Sequence, residues 1–447
     1  MFTSTTRLPN VVLTDGIFAS GRLGRTLAAY AQEHGPIFRV TLQTAGWAQP
    51  PLVWMVGPEA NRFVLHTQRD HFSHDRGWTP LIGESLGKGL LNMDEPEHTD
   101  HRRMWNPAFA SAYMTAYVPL IQAVIAERTA AWPTRAVVDV YAEAREITFD
   151  ITAAALAGFA RGAELDRLRE LFYTLIHGWD EADSWEAAVD RAHRTQQELG
   201  GRLLGAIAAR RRIAAADQPH DVLGTIIHAQ DAAGAELSDM QVLYHLNILL
   251  VAGHETTTTL AAWVLYLLAT QPAQAARVRA EVDAAAAGVT GPLPLEAIRS
   301  LKALDNFVRE AGRLYPPVLN LPRGVVKPFE FGGYAVPAGV ELRLGIVGTH
   351  YLPSVFADPT VFDPDRFAPP REEDKQTPYG LVTFGGGPRI CIGMHFANIE
   401  VRALAAHVVQ HYDLTSVGPA PVHAGGLTAV LPGGVPLRVQ ARGDAVN

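Results

Sequence analysis

Residues 238–270, SDMQVLYHLNILLVAGHETTTTLAAWVLYLLAT, constrain the fold more than any other stretch of the chain. A Ser-x-x-Gln capping box at Ser238 and Gln241 opens the run. As a helix it is about 50 Å long at about 1.5 Å per residue, enough to cross a large domain. A membrane span has similar length, but His254, Glu255 and four successive threonines near the centre argue against insertion. Threonines 256–259 are β-branched and poor helix formers, so local propensity conflicts with the element there. Such conflicts collect at functional sites. Ala252 and Gly253 are small enough to let another group lie close against the helix. Thr256, four residues beyond Ala252, can turn its hydroxyl into that backbone hydrogen bond and open a notch.

The rest of the 447-residue chain fits a soluble protein with a large core. Its hydrophobic fraction is 48%, its net charge of −8 offers no general field for nucleic acid, and its single cysteine excludes an internal disulfide. Residues 1–30 lack the basic stretch and apolar run of a secretory signal or anchor, so no membrane span and a cytoplasmic location are expected. Extended segments fall within residues 36–57, long helical patterns within roughly 95–315, and short strands within FEFGGYAVPAGVELRLG, punctuated at Gly332-Gly333 and Gly339. A proline-rich loop then leads to a last helix beginning at the cysteine. The expected class is mainly α with a small β region, in one domain covering residues 1–447.

That cysteine, Cys391, lies in FGGGPRICIG, with Phe384, Gly387, Arg389 and Gly393 at −7, −4, −2 and +2. Average residue frequencies produce the set by chance roughly once in 10⁵. Each residue has a task if the sulfur binds haem iron. Gly385, Gly386 and Gly387 let backbone approach a flat ring. Cys391 opens a helical pattern, where free N–H groups and the helix dipole stabilise a thiolate. Phe384 can cover the sulfur, and Arg389 can pair with a haem propionate. A thiolate ligand pushes electron density onto iron and favours O–O cleavage.

This stretch resembles the haem-binding signature of the cytochrome P-450 family, with every defining position present. Many bacterial members carry histidine where this chain has Arg389, and either residue can pair with a propionate. The resemblance runs in the family's order from His98 to Gly393, and it implies haem b lying between the long central helix and the Cys391 loop. It places Ala252 and Gly253 over the distal face, gives Thr256 a hydrogen bond to bound dioxygen, and gives Glu255 a part in proton relay. It also joins Glu310 and Arg313 of VREAGRLYPP to Arg366 of PDRF as a structural network that holds the cysteine loop. Glu-x-x-Arg recurs at Glu59, Glu164 and Glu296, but only the copy at Glu310 stands about 80 residues before the cysteine with PDRF following. Propionate contacts are implied for His98 and Arg102, four apart on one helix face, and for Arg323, while His350 is a further candidate near the haem. A metal site at His98 and His101 is the rival reading and lacks a third ligand. GESLGKG fails as a phosphate loop because its glycine spacing is one residue short.

By the same resemblance, the chain is a monomeric monooxygenase of secondary metabolism. It takes electrons from NAD(P)H through a separate ferredoxin or flavodoxin and a reductase. Its substrate is a hydrophobic small molecule such as a terpenoid, fatty acid, steroid or macrolide. Pocket walls are expected from Trp78, Ala252, Val318, Asn320 and Leu321, with residues 172–185 and 427–431 nearby. Two other readings compete: a peroxygenase or isomerase that needs no reductant, and a haem-based sensor or binding protein. The first often lacks an acid–alcohol pair such as Glu255 and Thr256. The second needs no proton delivery.

Overall fold

The run Leu52–Met55, LVWM, is buried along its whole length, as expected of a central strand covered on both faces. Around it the computed structural model, which describes residues 7–44, 47–48, 51–177, 184–231, 234–425 and 427–443, builds a seven-stranded sheet. Its strand order is Asn10–Thr14, Ile37–Thr44, Leu52–Met55, Glu341–Leu344, Leu321–Val325 and Phe72–Ser73, with Trp47–Ala48 paired to Ile37–Thr44 off this path. Asn10–Thr14 pairs in parallel with Ile37–Thr44, and Glu341–Leu344 in parallel with Leu52–Met55.

Strand alternation assigns side chains to two cores. Phe38, Val40, Trp54 and Val56 pack with Leu27, Val347, Phe356 and Phe367. Ile37, Val53 and Met55 pack with Phe72, Val325, Leu342 and Leu344. A full burial of each such side chain stabilises the fold by about 1.5–3 kcal/mol. The early extended region was legible, but strand Asn10–Thr14 was not expected. Only its second and fourth residues are buried, so NVVLT carries little apolar signal.

Two compact units divide the chain: residues 1–77, 125–144 and 256–447 in the larger, residues 78–124 and 145–255 in the smaller. The larger contains the sheet, a three-stranded sheet of Tyr412–Ser416, Pro436–Ala441 and Val138–Asp139, and the hairpin Phe329–Phe331 with Tyr334–Val336. It also holds the helices Lys302–Leu314 and Met394–His411. The described part of the smaller unit is helical, with Glu97–Trp105, Ala163–His177, Trp185–Arg211 and Val222–Ile226. Mainly α with a small β portion is the class observed.

The long helix runs unbroken from Asp239 to Thr270, and the division between units falls after its Glu255. Its capping box forms as expected: the Ser238 N–H donates to Gln241 Oε1 at 2.9 Å, and the Gln241 N–H to Ser238 Oγ at 3.3 Å. The notch expected at Thr256 does not split the helix. Tertiary contacts override the weak propensity of the threonines. Thr257, Thr258 and Thr259 are buried, and the Thr259 hydroxyl donates to the Ala429 carbonyl at 3.1 Å. Among the described residues this one helix is long and apolar enough to cross a membrane, and 67% of its most apolar window is buried in the protein.

Each unit encloses a histidine that burial keeps neutral. In the larger, the His350 Nδ1–H donates to the Arg313 carbonyl and its Nε2 accepts from the Val382 N–H, both at 3.1 Å. In the smaller, His245 Nε2 lies 2.7 Å from His101 Nδ1. Burial first, with the Arg313 charge beside His350 and the His101 ring beside His245, lowers each pKa to about 3. An unfolded histidine takes up its proton near pH 6.5, so the unfolded chain binds more protons between about 6.5 and about 3. Stability is therefore fully present above about 6.5 and falls as pH drops through that window, each histidine contributing about 1.4 kcal/mol per pH unit. Urea midpoints measured from neutral to mildly acidic pH should fall, and His350→Gln should make the slope shallower by about one proton. An unchanged slope would mean that His350 does not set it.

Candidate active site

The only thiol of the chain is exposed at Cys391, on a loop shaped by its glycines. The Gly385 N–H donates to the Val382 carbonyl at 2.8 Å, residues Gly387–Arg389 make a tight 3-10 turn, and the Cys391 N–H donates to the Phe384 carbonyl at 3.0 Å. Gly387 has φ of +65°, and a Cβ there would lie 2.2 Å from the Leu65 carbonyl oxygen. Close packing against backbone, rather than room for a ring, therefore demands glycine at 387. A Cβ added at Gly385 or Gly393 would meet no atom within 4 Å, so those two positions leave the thiol's loop open. Cys391 does not begin the following helix as expected. Met394 is its first residue and Gly393 its N-cap, because the chain is still turning at Cys391 to place its N–H on Phe384.

The expected Glu310, Arg313 and Arg366 network is present, with no side-chain exposure in any of the three. Arg313 grips Glu310 with two N–H donors, Nε to Oε2 at 2.7 Å and Nη2 to Oε1 at 2.8 Å. Arg366 Nε donates to the same Oε1 at 3.0 Å, as does the Asp363 N–H. The remaining guanidinium donors reach the carbonyls of His350, Pro359 and Ala357 at 2.8–2.9 Å and Glu373 Oε2 at 2.7 Å. Buried charges are tolerated when satisfied in this way. His350 belongs to this assembly: both ring nitrogens are committed to backbone, one to Arg313 and the other to Val382 at the entrance to the cysteine loop. Spacing gave no sign of that bridge.

Other candidates in the larger unit are Thr256 and Arg389, both half-buried, and Arg323, buried on strand Leu321–Val325 with Nη1 donating to the Pro322 carbonyl at 2.7 Å. Of the expected pocket residues, Val318 and Leu321 are half-buried, whereas Asn320 is buried. In the smaller unit His98 and Arg102 occupy one face of helix Glu97–Trp105. His98 is buried with Nδ1 3.2 Å from Glu95, and Arg102 Nε donates to Asn106 at 3.1 Å. Trp78 is buried. Of the wall expected at 172–185, residues 178–183 lie outside the described residues. The rival metal reading fails here: His101 turns to His245, and no group of three or more His, Cys, Asp or Glu side chains fit to hold a metal occurs among the described residues.

Ala252 is exposed and Gly253 half-buried in the middle of the long helix. A Cβ at Gly253 would come within 2.9 Å of the Thr152 methyl, so glycine is needed there for packing against residue 152. The neighbouring carboxylate is held on two sides: His254 Nε2 lies 2.9 Å from Glu255 Oε1, and His177 Nε2 lies 3.3 Å from both oxygens. Burial pushes the Glu255 pKa up, but the hydrogen bonds from His177 and His254 outweigh it and hold the group below the usual carboxylate range. Neither histidine was expected at the site. Adjacent side chains on a helix do not normally face each other, and His177 is 78 residues away.

The donor set suits haem. A lone exposed thiol is the soft ligand that haem iron takes in thiolate enzymes, and it sits on a loop whose glycines leave one side open. The family model for cytochrome P450 matches residues 5–427. Cytochrome P450 136 of Mycobacterium tuberculosis is 29% identical over 372 residues, which cover 81% of this chain and 74% of that protein. Cytochrome P450 120 of a Synechocystis species is 28% identical over 427 residues, 93% of this chain and 94% of that one. Among solved structures, retinoic acid-bound cyanobacterial CYP120A1 superposes with a TM-score of 0.85 at 25% identity, covering 98% of this chain and 100% of that chain.

Removing the Glu310 charge leaves two buried guanidiniums undercompensated. Glu310→Gln should destabilise the protein by about 3–5 kcal/mol, the usual cost of breaking a buried pair from one side. A urea titration measures it. A loss below about 1 kcal/mol, the level of an exposed pair, would show that the carbonyls alone satisfy Arg313 and Arg366.

Proposed function

Because the chain belongs to the cytochrome P450 family, a family of monooxygenases, we propose that it inserts one atom of O₂ into a hydrophobic small molecule by hydroxylation or epoxidation. Electrons come from NAD(P)H through a separate ferredoxin or flavodoxin and its reductase. The protein works as a cytoplasmic monomer in secondary metabolism, with residues 1–447 forming one haem domain. One observation carries the reading: the chain's only thiol is exposed at Cys391, on a loop held by Gly387 and bonded back to Phe384.

Haem, when bound, supplies O₂ activation, which a thiolate ligand promotes by electron donation. The chain's own residues do the rest. Cys391 provides the sulfur, with Phe384, Gly385 and Gly393 around it and Glu310, Arg313 and Arg366 fixing the loop. His98, Arg102, Arg323 and Arg389 provide cations for the two propionates. Ala252 and Gly253 present a small-residue face, and Thr256 and Glu255 deliver protons. Val318, Leu321 and Trp78 contribute apolar walls, with Asn320 as an orienting polar contact. The retinoic acid bound in a solved relative supports a hydrophobic substrate class. Glu255, held ionised between two imidazoles, supports reductant-driven chemistry over a peroxygenase or sensor, neither of which needs a dedicated proton path.

The reduced carbonyl complex should show the strongly red-shifted Soret band of thiolate-ligated haem, and Cys391→Ala should abolish it. Since no second thiol exists, survival of that band in the variant would refute the ligand assignment.

Thr256→Ala should retain haem and substrate-induced spectral shifts, because neither depends on the hydroxyl. NAD(P)H consumption should continue with peroxide released in place of product, and product per NAD(P)H should drop several-fold or more, up to the roughly 10²–10⁴ contribution of a positioned proton donor. Unchanged coupling would make the hydroxyl dispensable.

A further inference from the structure

The Glu255 carboxylate does not act alone, and the hydrogen bonds around it locate a proton. His254 Nδ1 lies 2.7 Å from the Leu250 carbonyl oxygen. A carbonyl only accepts, so Nδ1 must carry hydrogen. A neutral imidazole has a single ring hydrogen, which would leave Nε2 as a bare lone pair. Yet Nε2 stands 2.9 Å from Glu255 Oε1, and two acceptors do not meet at that distance inside a protein. A second hydrogen lies between them. The ring cannot turn away to avoid the contact: Phe149 packs against it edge-on at 5.1 Å, and its side chain is 3% exposed.

The opposite side of the carboxylate faces another imidazole. His177, the last residue of helix Ala163–His177, directs Nε2 to both Glu255 oxygens at 3.3 Å. It is the most exposed of the three, at 19% against 13% for Glu255. The Tyr173 ring lies 5.0 Å from it, with the Arg145 guanidinium 4.8 Å above that tyrosine, so a positive charge stands behind His177.

We infer that His254 is an imidazolium held against the Glu255 carboxylate, a proton store two residues before Thr256, and that His177 refills it from solvent. This rests on the reading that Glu255 relays protons, and it names which groups hold and replace them. The transfers balance. His254 Nε2–H passes its proton to Glu255 Oε1, and the resulting acid hands a proton onward. His177, first protonated by hydronium from solvent, then donates its Nε2 hydrogen to the carboxylate and is left a neutral imidazole. Glu255 returns that proton to His254 and is a carboxylate again. No electrons move. His254 and His177 act through Glu255, so both are positioning residues.

The proton is directly observable. In holoenzyme labelled with ¹⁵N-histidine and studied as the diamagnetic ferrous carbonyl form, His254 should show hydrogen on both ring nitrogens at neutral pH. Glu255→Gln, nearly the same shape, would offer Nε2 an N–H donor instead of an acceptor, so His254 should lose one ring hydrogen and keep that on Nδ1. A single ring hydrogen in the wild type, or no change in Glu255→Gln, overturns the inference. A second arm separates storage from positioning. His254→Gln can still donate an N–H to Glu255 but has no ring proton to give. It should keep the carbonyl spectrum while product per NAD(P)H falls roughly ten-fold or more, up to the roughly 10²–10⁴ contribution of a positioned proton donor. Full coupling in that variant means a hydrogen bond to Glu255 suffices and no store exists. If His254→Gln takes up no haem, the ring-hydrogen comparison of wild type with Glu255→Gln decides alone. Failure here with Thr256→Ala still uncoupled leaves the monooxygenase reading intact, whereas coupled Thr256→Ala removes the premise itself.

Discussion

A carboxylate shared by two guanidiniums, all three shut off from water, is the constraint on which the candidate site depends. Glu310 takes bonds from Arg313, Arg366 and the Asp363 N–H, and each arginine spends its other donors on carbonyls between residues 350 and 361 or on Glu373. A buried ion set of this kind does little for net stability compared with apolar packing, but it tolerates only one arrangement. That arrangement carries forward through His350, whose ring bonds the Arg313 carbonyl and the Val382 N–H together. From Val382 the bonds continue to Gly385, and from Phe384 to Cys391. The thiol's position is thus tied to a carboxylate, Glu310, some 80 residues earlier in the chain.

The long helix obeys a different logic. Its apolar residues secure its existence, and its four threonines weaken it where function is expected. Packing resolves the conflict: Thr257–Thr259 are buried, and Thr259 bonds Ala429. Phe149, edge-on to the ring at 5.1 Å, holds His254 beside Glu255, an arrangement an isolated helix would not favour. Polar groups confined in this way interact more strongly than in water, which is why a carboxylate surrounded by protein stays ionised between two imidazoles.

Much of this was legible in residue order because the relevant physics is local. A capping box announces itself within four residues, a helix within a few turns, and a glycine-bedded thiol within ten. The helical class, the capping box at Ser238 and Gln241, and the hairpin turn at Gly332-Gly333 follow from such short-range rules and are found. Asn10–Thr14 escaped because three of its five residues face outward. The helix start at Met394 was misplaced by three residues because apolar periodicity continues through a turn whose backbone bonds belong to Phe384.

By itself the sequence determined the long central helix, the class of fold and the single thiol able to ligate a metal, which are properties of composition, spacing and motif; the grouping of Glu310, Arg313 and Arg366 was implied only by the resemblance to a known family. Tertiary structure alone decided that His350 serves the cysteine loop, that Gly387 is required by the Leu65 carbonyl, that His101 pairs with His245, and that His177 and His254 hold Glu255. Each of these is a contact between atoms whose separation along the chain says nothing of their distance in space. Hydrogen bonds are made or lost over a few tenths of an ångström, a precision that only the folded backbone supplies.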